Sequence, residues 1–360
     1  MNSVPAFVMG PFITTVIPTY RRPELLRRAI LSVLGQTYPY VRACVFDNAS
    51  SDETEAVVAA LMRRDPRIYY HRHHENIGPY PNFNFGMRAV GTPYFSLLSD
   101  DDVLAPDFYA QAMKAFQRYS NAMFVCMPTM VVDTALRVIS PPICVDDVHY
   151  YEQGVAVKGM LEGTVPGTWT GIVFRYEVCD AVGLVGTTEG SCADGGFVYH
   201  VAARFPGVVA PGVAAVLMAH EDSFSGSCGV VSKEWISQWN SMMRRIFEDR
   251  NVPVHIQDYL REVPHPNYLV VGVNQVGRAL VRGDFAYAFR VVQGVKECSY
   301  PLAGIFLNLL IWCCKYCYAN SLLKQLHCIR ASLQRRRVRG LDARHGDLVK
   351  FVREYTQGEV

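Results

Sequence analysis

An apolar run, Pro93-Tyr94-Phe95-Ser96-Leu97-Leu98, leads through Ser99 into three consecutive carboxylates, Asp100, Asp101 and Asp102. Adjacent Asp side chains repel one another and need solvent or a counter-charge. At the end of a buried strand a bound cation is the natural neutraliser. Hard carboxylate oxygens suit Mg²⁺ or Mn²⁺, ions that bridge to phosphate. The residues therefore predict a metal-diphosphate site at 100–102. The plainer alternative is a solvated acidic turn. Two further polar clusters, Pro18-Thr19-Tyr20 and Asp47-Asn48, also follow short apolar runs.

The elements that must position these groups are legible in the pattern. Residues 12–17 (FITTVI) read as a strand stopped by Pro18, and Pro23 sits where a first-turn helix proline belongs. Leu25, Leu26, Ala29, Ile30, Val33 and Leu34 recur at helical spacing. A second strand runs from Val41 to Phe46, and Ser51 or Asp52 caps the next helix. Ile68 to Tyr70 is a short third strand, Asn82 to Val90 a helix and Pro93 to Leu98 a fourth strand. Val103 to Pro106 leads into a helix over Asp107–Tyr119. This alternation predicts a doubly wound, mostly parallel α/β sheet with helices on both faces. In such sheets ligands bind past the carboxyl ends of strands, where all three polar clusters fall. Residues 123–175 read as extended and irregular, with strands at 123–126, 129–133 and 169–174. A helix over 194–204 and a strand over 208–218 follow, and from about 233 the pattern is mainly helical.

Composition adds bounds. The chain has 360 residues, half of them apolar, and a net charge of +2, which argues against a dedicated nucleic-acid binder. No signal peptide is evident at the start, and eleven Cys without regular spacing predict a reducing, cytoplasmic location rather than a disulfide framework. From Cys298 to Leu341 there is no Asp or Glu, but there are seven Lys/Arg. Within that stretch Pro301–Cys314 is apolar but shorter than the ~20 residues needed to span a bilayer. With Trp312, Tyr316 and Tyr318 it reads as an interfacial membrane helix over 301–323 followed by a basic tail. A helix packed on protein is the alternative.

Three blocks, VIPTYRRPELLRRAILSVLGQTY (16–38), VFDNASSDET (45–54) and NIGPYPNFNFGMRAVGTPYFSLLSDDDVLAPDF (76–108), resemble family-2 glycosyltransferases, nucleotide-sugar enzymes of the GT-A fold. ADGGFVYHVAARF (193–205) matches more loosely. The resemblance covers about residues 10–225. It implies a catalytic domain over 1–230 and a mainly helical region over 231–360.

The resemblance also assigns roles. Asp47 accepts a hydrogen bond from the base, a position that otherwise reads as a turn residue. Pro18, Thr19, Tyr20, Arg22 and Asn76 lie around the nucleotide sugar, Asp100 near the ribose, and Asp101 on Mn²⁺ or Mg²⁺. Asp102 is a competing ligand, because Ser99-Asp100-Asp101-Asp102 stands where the family has Asp-x-Asp-Asp. Asp194, in Ala193-Asp194 where the family usually has Glu-Asp, is the candidate catalytic base; the alternative is a helix N-terminal carboxylate. His220 is a candidate metal ligand or phosphate donor, or else a surface-loop residue. Trp169 either lines the acceptor site or belongs to the core. His71, His73 and His74 read as solvated.

The function expected is inverting transfer of a sugar from a UDP, dTDP or GDP sugar to a glycan or lipid-linked glycan. The setting implied is bacterial O-antigen or capsule synthesis at the inner leaflet, on the cytoplasmic face of the membrane. The rivals are a sugar-nucleotide nucleotidyltransferase and a non-catalytic membrane-surface scaffold. Gly272–Gly277 lacks the Lys-Ser/Thr of a phosphate loop, and Cys313, Cys314 and Cys317 lack a second ligand pair for a metal knuckle.

Overall fold

The β-branched run Ile13–Thr19 forms strand β1, buried along its whole length. The computed structural model to which it belongs describes residues 10–187, 189–219, 233–262, 275–276, 280, 285–297 and 311. In chain order α1 (Pro23–Leu34), β2 (Val41–Asp47), α2 (Thr54–Met62), β3 (Ile68–Arg72), α3 (Pro79–Arg88) and β4 (Tyr94–Leu97) follow. Next come β5 (Val103–Leu104), α4 (Phe108–Arg118), β6 (Phe124–Cys126), β7 (Thr129–Asp133), β8 (Val138–Ser140), β9 (His149–Tyr151) and α5 (Val155–Glu162). After a 3₁₀ turn at Trp169–Gly171 the chain forms β10 (Ile172–Arg175), α6 (Glu177–Val182), α7 (Ala193–Arg204), β11 (Gly207–Val209) and β12 (Ala215–Ala219). Helices α8 (Lys233–Phe247), α9 (Val254–Glu262) and α10 (Phe285–Glu297) complete the described elements.

The main sheet has the order β3-β2-β1-β4-β10-β6-β11-β9, and a smaller one has the order β5-β12-β7-β8. Strands β3, β2, β1 and β4 run parallel, whereas β10 is antiparallel to both its neighbours. The chain winds outward from β1 to β3, then returns to lay β4 on the other side of β1. That reversal leaves a crevice at the carboxyl ends of β1 and β4. Period-2 alternation supplies both faces. Ile13 and Ile17 pack with Leu26 and Ile30 of α1 and with Phe108 of α4. Val16 and Phe95 pack with Met87 of α3 and Phe197 of α7. Met242, Ile246, Ile256 and Leu260 of the α8–α9 segment join this second cluster, so that core continues past residue 230.

Several local expectations are corrected. Strand β1 runs through Pro18. Its odd-numbered residues bond toward β2 (Ile13 N–H to Tyr40 O, and Asn48 N–H to Thr19 O), so the N–H that proline lacks faces the β4 side, beyond the last paired residue, Val16. Helix α2 starts at Thr54: Asp52 accepts the Thr54 N–H at 3.0 Å just outside it, and Ser51 sits in the left-handed region. Residues 103–104 pair with β12 before the chain leads into α4 at Phe108. The run 208–218 is two strands in two sheets, broken by Pro211 and by Gly212 at φ +94. Residues 169–171 form a 3₁₀ turn before β10, and the stretch read as irregular contains α5. His71 and His73 are not simply solvated. They pack on Phe85 with centroids 4.5 and 4.7 Å away, and His73 Nε2 lies 2.9 Å from Asn82 Oδ1. His220, the basic tail and the Cys313–Cys317 cluster lie outside the described residues, as do the Gly272–Gly277 loop apart from residues 275–276 and the 301–323 segment apart from residue 311.

A charged network fastens α7 to the end of α8. Asp249 Oδ2 accepts from Arg204 Nη1 at 3.0 Å and lies 2.9 Å from the buried His200 Nε2. Burial holds the His200 imidazole below its usual pKa, so the folded state keeps it neutral. Although burial opposes it, hydrogen bonds from Asn251 and His200 bring the Asp249 carboxyl down to about 2. Both groups are depressed, so each contributes stability that is present above its unfolded pKa and lost as pH falls. The urea midpoint is expected to decline first through the usual imidazole range near 6.5, and again as Asp249 protonates between 3.8 and about 2. His200→Gln should flatten the first decline and leave the second.

Candidate active site

The three Asp side chains are buried, with Asp101 the most open at 8% exposed. The sheet reversal brings Thr19 against them: its hydroxyl donates to Asp100 Oδ2 at 2.7 Å. Arg22, just before α1, bridges two of the carboxylates, with Nη1 3.1 Å from Asp100 Oδ1 and 3.0 Å from Asp101 Oδ2. A protein cation thus supplies part of the neutralisation that the sequence assigns to a metal. Burial, and then the charge on Asp101, push Asp100 up to about 6 and raise Asp102 well above the carboxylate range. Asp102 faces inward, accepting from Thr170 Oγ1 at 3.2 Å and from the Met218 N–H at 3.2 Å.

The base-side residues converge at the same edge. Asp47 is almost fully buried. Its Oδ1 accepts the Ser50 N–H at 2.9 Å and its Oδ2 accepts the Tyr70 hydroxyl at 2.7 Å, leaving further lone pairs on both oxygens. Arg21 donates its backbone N–H to Ser50 Oγ at 2.8 Å, which ties the β1 and β2 loops together. Arg21, Ala49 and Ser51 all have φ between +54 and +62, backbone strain concentrated at the loops of this edge. Asn76 Oδ1 accepts from Asn48 Nδ2 at 2.9 Å and from the Gly78 N–H at 2.9 Å. Pro18 is buried at the strand end, while Tyr20 is exposed with the Arg21 guanidinium 5.0 Å over its ring.

A cavity of about 250 Å³ surrounds Asp194, lined by Thr168, Trp169, Ser191, Tyr199, Trp235 and Trp239 among others. Asp194 opens onto this space and accepts the Gly195 N–H at 2.7 Å. Although Asp194 is itself exposed to this space, the walls packed around it push its carboxyl above the usual range. Trp169 lines this cavity, and the next residue, Thr170, holds Asp102. Consecutive Cα atoms are about 3.8 Å apart, so the acidic triplet and the Asp194 cavity adjoin. Trp169 is both buried, against Phe83 at 4.4 Å between centroids, and a wall of the site. Asn84 of α3 exchanges two hydrogen bonds with the Val185 backbone, which fixes the loop leading to Asp194.

Sequence reasoning missed Tyr70, Thr170, Trp235, Trp239 and Arg28. The i, i+4 spacing of the two Trp residues was the available signal for the last wall. Arg28 on α1 feels the charge of Asp101, and among the described residues its buried Nε and Nη2 have no hydrogen-bond partner.

Among the described residues no three His, Cys, Asp or Glu side chains converge into a metal-ligand set. The donors still fit a divalent ion of the kind that binds one or two carboxylates and completes its shell with substrate phosphate and water. Asp102 is engaged by Thr170 and Met218, whereas Asp101, the most open of the three, shares the Arg22 guanidinium with Asp100.

Residues 14–154 match the family model described as glycosyl transferase family 2. The chain carries a family 2 glycosyltransferase domain. It is 32% identical over 119 residues to the GalNAc(5)-diNAcBac-PP-undecaprenol beta-1,3-glucosyltransferase of Campylobacter jejuni, covering 32% of this chain and 38% of that protein. It is 35% identical over 103 residues to the succinoglycan biosynthesis protein ExoO of Rhizobium meliloti, covering 29% of each. The chain thus spans well under half the length of these curated relatives. The crystal structure of S. aureus TarS residues 1–349 in complex with UDP-GlcNAc superposes with a TM-score of 0.59 over 79% of this chain and 81% of that one, at 12% identity. That likeness establishes the GT-A type fold, and it extends beyond the segment matched by the family model.

Two adjacent glycines on α7 differ in how closely their neighbours approach. A Cβ at Gly196 would lie 2.3 Å from Glu189 Oε2 and 2.9 Å from Met242 Cγ. Glu189 cannot yield without breaking its 2.9 Å pair with Arg245. At Gly195 a Cβ meets only Tyr199 at 3.4 Å. Gly196→Ala is therefore expected to destabilise by about 1–3 kcal/mol. Gly195→Ala should be neutral or gain up to about 1 kcal/mol from helix propensity, with urea unfolding as the measure.

Proposed function

We propose that this chain is an inverting glycosyltransferase that moves a sugar from a nucleotide-diphosphate sugar to a hydroxyl of a glycan acceptor. The observation that carries this reading is the pair of neighbours Trp169 and Thr170, which joins the Asp194 cavity to the acidic triplet. A donor spanning the two has its base beside Asp47, Asn76 and Pro18–Tyr20, its ribose near Asp100, and its diphosphate by Arg22 and Asp101. Asp101 would hold the Mn²⁺ or Mg²⁺, which when bound supplies positive charge against the diphosphate leaving group.

Asp194 takes the proton of the acceptor hydroxyl as its oxygen attacks the anomeric carbon. The sugar–phosphate C–O bond breaks on the opposite face, and its electron pair leaves with the nucleoside diphosphate. The raised pKa of Asp194 makes it a stronger base than an unperturbed carboxylate. Arg22 lies where charge develops on the departing phosphate.

The acceptor we favour is a lipid-linked glycan in surface polysaccharide synthesis, worked on at the cytoplasmic membrane face. The undecaprenol-linked substrate named for the Campylobacter relative supports it, as does the basic composition of residues 298–341. No described helix is long and apolar enough to cross a membrane. The UDP-GlcNAc bound to TarS makes UDP sugars the first donors to test, ahead of dTDP and GDP sugars.

A thermal-shift screen of those donors with Mn²⁺ or Mg²⁺ should find one that raises the melting temperature, as ligand at ~100 Kd adds about 2.7 kcal/mol of stability. With that donor, Asp194→Asn should lower nucleoside diphosphate release by about 10²–10⁴-fold with little change in donor KM. Asp101→Ala should abolish the metal-dependent release. Metal-independent release of equal rate in wild type and Asp101→Ala would overturn the mechanism. Release of pyrophosphate from a nucleoside triphosphate and a sugar phosphate would instead mark a nucleotidyltransferase.

A further inference from the structure

The wall of the Asp194 cavity opposite Trp169 comes from α8, outside the segment that matches the family model. Trp235 and Trp239 stand one helical turn apart with ring centroids 5.8 Å apart and planes inclined by 26°. Trp239 meets Tyr199 of α7 edge-on at 6.4 Å. Both tryptophans are only half-buried, so the stacked pair still presents ring surface to the cavity. The helix is held at this distance deliberately close. Arg245 pairs with Glu189, Met242 is fully buried, and a Cβ at Gly190 (φ +49) would overlap the Gln238 amide at 2.2 Å.

The polar groups of the cavity are neutral or negative: Thr168, Ser191, the Tyr199 hydroxyl and Asp194. No Lys, Arg or His is among the described residues that line it. A phosphate or carboxylate would find no counter-charge there and would be repelled by Asp194. A pyranose ring fits on both counts. Its C–H-rich face carries the partial positive charge that the π face of an aromatic ring attracts, and its rim hydroxyls can reach hydroxyl and carboxylate partners.

We propose that Trp235 and Trp239, with Trp169 and Tyr199, form the platform for an uncharged pyranose at the acceptor's reacting end, one rim hydroxyl of which faces Asp194. The acceptor's reacting group is then a sugar hydroxyl, and any lipid-linked phosphate lies at least one sugar unit away. Assigning the bound sugar as acceptor rests on the glycosyltransferase reading, whereas the sugar binding itself does not.

Saturation-transfer NMR on the full chain tests this directly. The neutral probes are methyl β-D-glucopyranoside, methyl β-D-galactopyranoside and the methyl β-glycoside of N-acetylglucosamine, and glycerol 1-phosphate is the anionic probe. Irradiating the protein's aromatic protons should saturate the ring C–H protons of at least one glycoside. Trp235→Ala and Trp239→Ala should each weaken that binding by about five- to tenfold, the order expected for losing one ring contact. Trp239→Phe should retain most of it, which separates loss of the platform from loss of the fold. Absence of saturation for all three glycosides, saturation undiminished in both alanine variants, or preference for glycerol 1-phosphate would each overturn the proposal. Tryptophan-dependent glycoside binding in a protein that releases no nucleoside diphosphate from any donor would uphold the platform and sink the transferase reading.

Discussion

Placing three adjacent carboxylates in the interior is the constraint around which this molecule is arranged. Isolated, they could not remain ionised there. The fold supplies a different answer for each: Thr19 and Arg22 for Asp100, Arg22 again for Asp101, and Thr170 with a backbone N–H for Asp102. Those partners come from β1, the turn before α1, the 3₁₀ turn before β10, and β12. The triplet is thereby the knot that joins the main sheet, the smaller sheet and the wall of the cavity. Burial and the charge on Asp101 leave the Asp100 and Asp102 carboxyls raised above their usual range even so.

The same arrangement separates two electrostatic environments within one cleft. On the donor side, Arg22 and Arg28 surround the carboxylates with positive charge. On the other side, the described lining of the Asp194 cavity is aromatic and carries no cation. In the reaction we propose, this contrast sorts the anionic donor from the uncharged acceptor ring, and their reacting atoms meet near the Trp169–Thr170 step. Position is maintained by close backbone approaches at Gly190 and Gly196 and by the Glu189–Arg245 pair, all on the α7–α8 contact.

Local pattern carried far in the first hundred residues. There β1 and β4 are continuous buried runs and the helices between the strands carry apolar residues at helical spacing, so pattern alone finds them, and polar residues close the strands. It failed where two physical rules compete. Pro18 looks like a stop until the direction of its missing N–H is known, and that depends on which neighbour strand extends further. The run 208–218 is apolar enough to be one strand, yet Pro211 and Gly212 turn it into two that serve different sheets. His71 and His73 look polar in sequence but find Phe85 as a packing surface.

The sequence by itself determined the strand–helix alternation, the acidic triplet, and the polar residues that close the strands, because each depends on neighbours within a few positions. Tertiary structure alone decided that Arg22 reaches Asp100 and Asp101, that Tyr70 donates to Asp47, and that Thr170 donates to Asp102. These contacts join residues 23 to 79 positions apart. No local periodicity encodes such a distance. Only the order of strands in the sheet, set by how apolar faces are buried, brings the partners within hydrogen-bonding range.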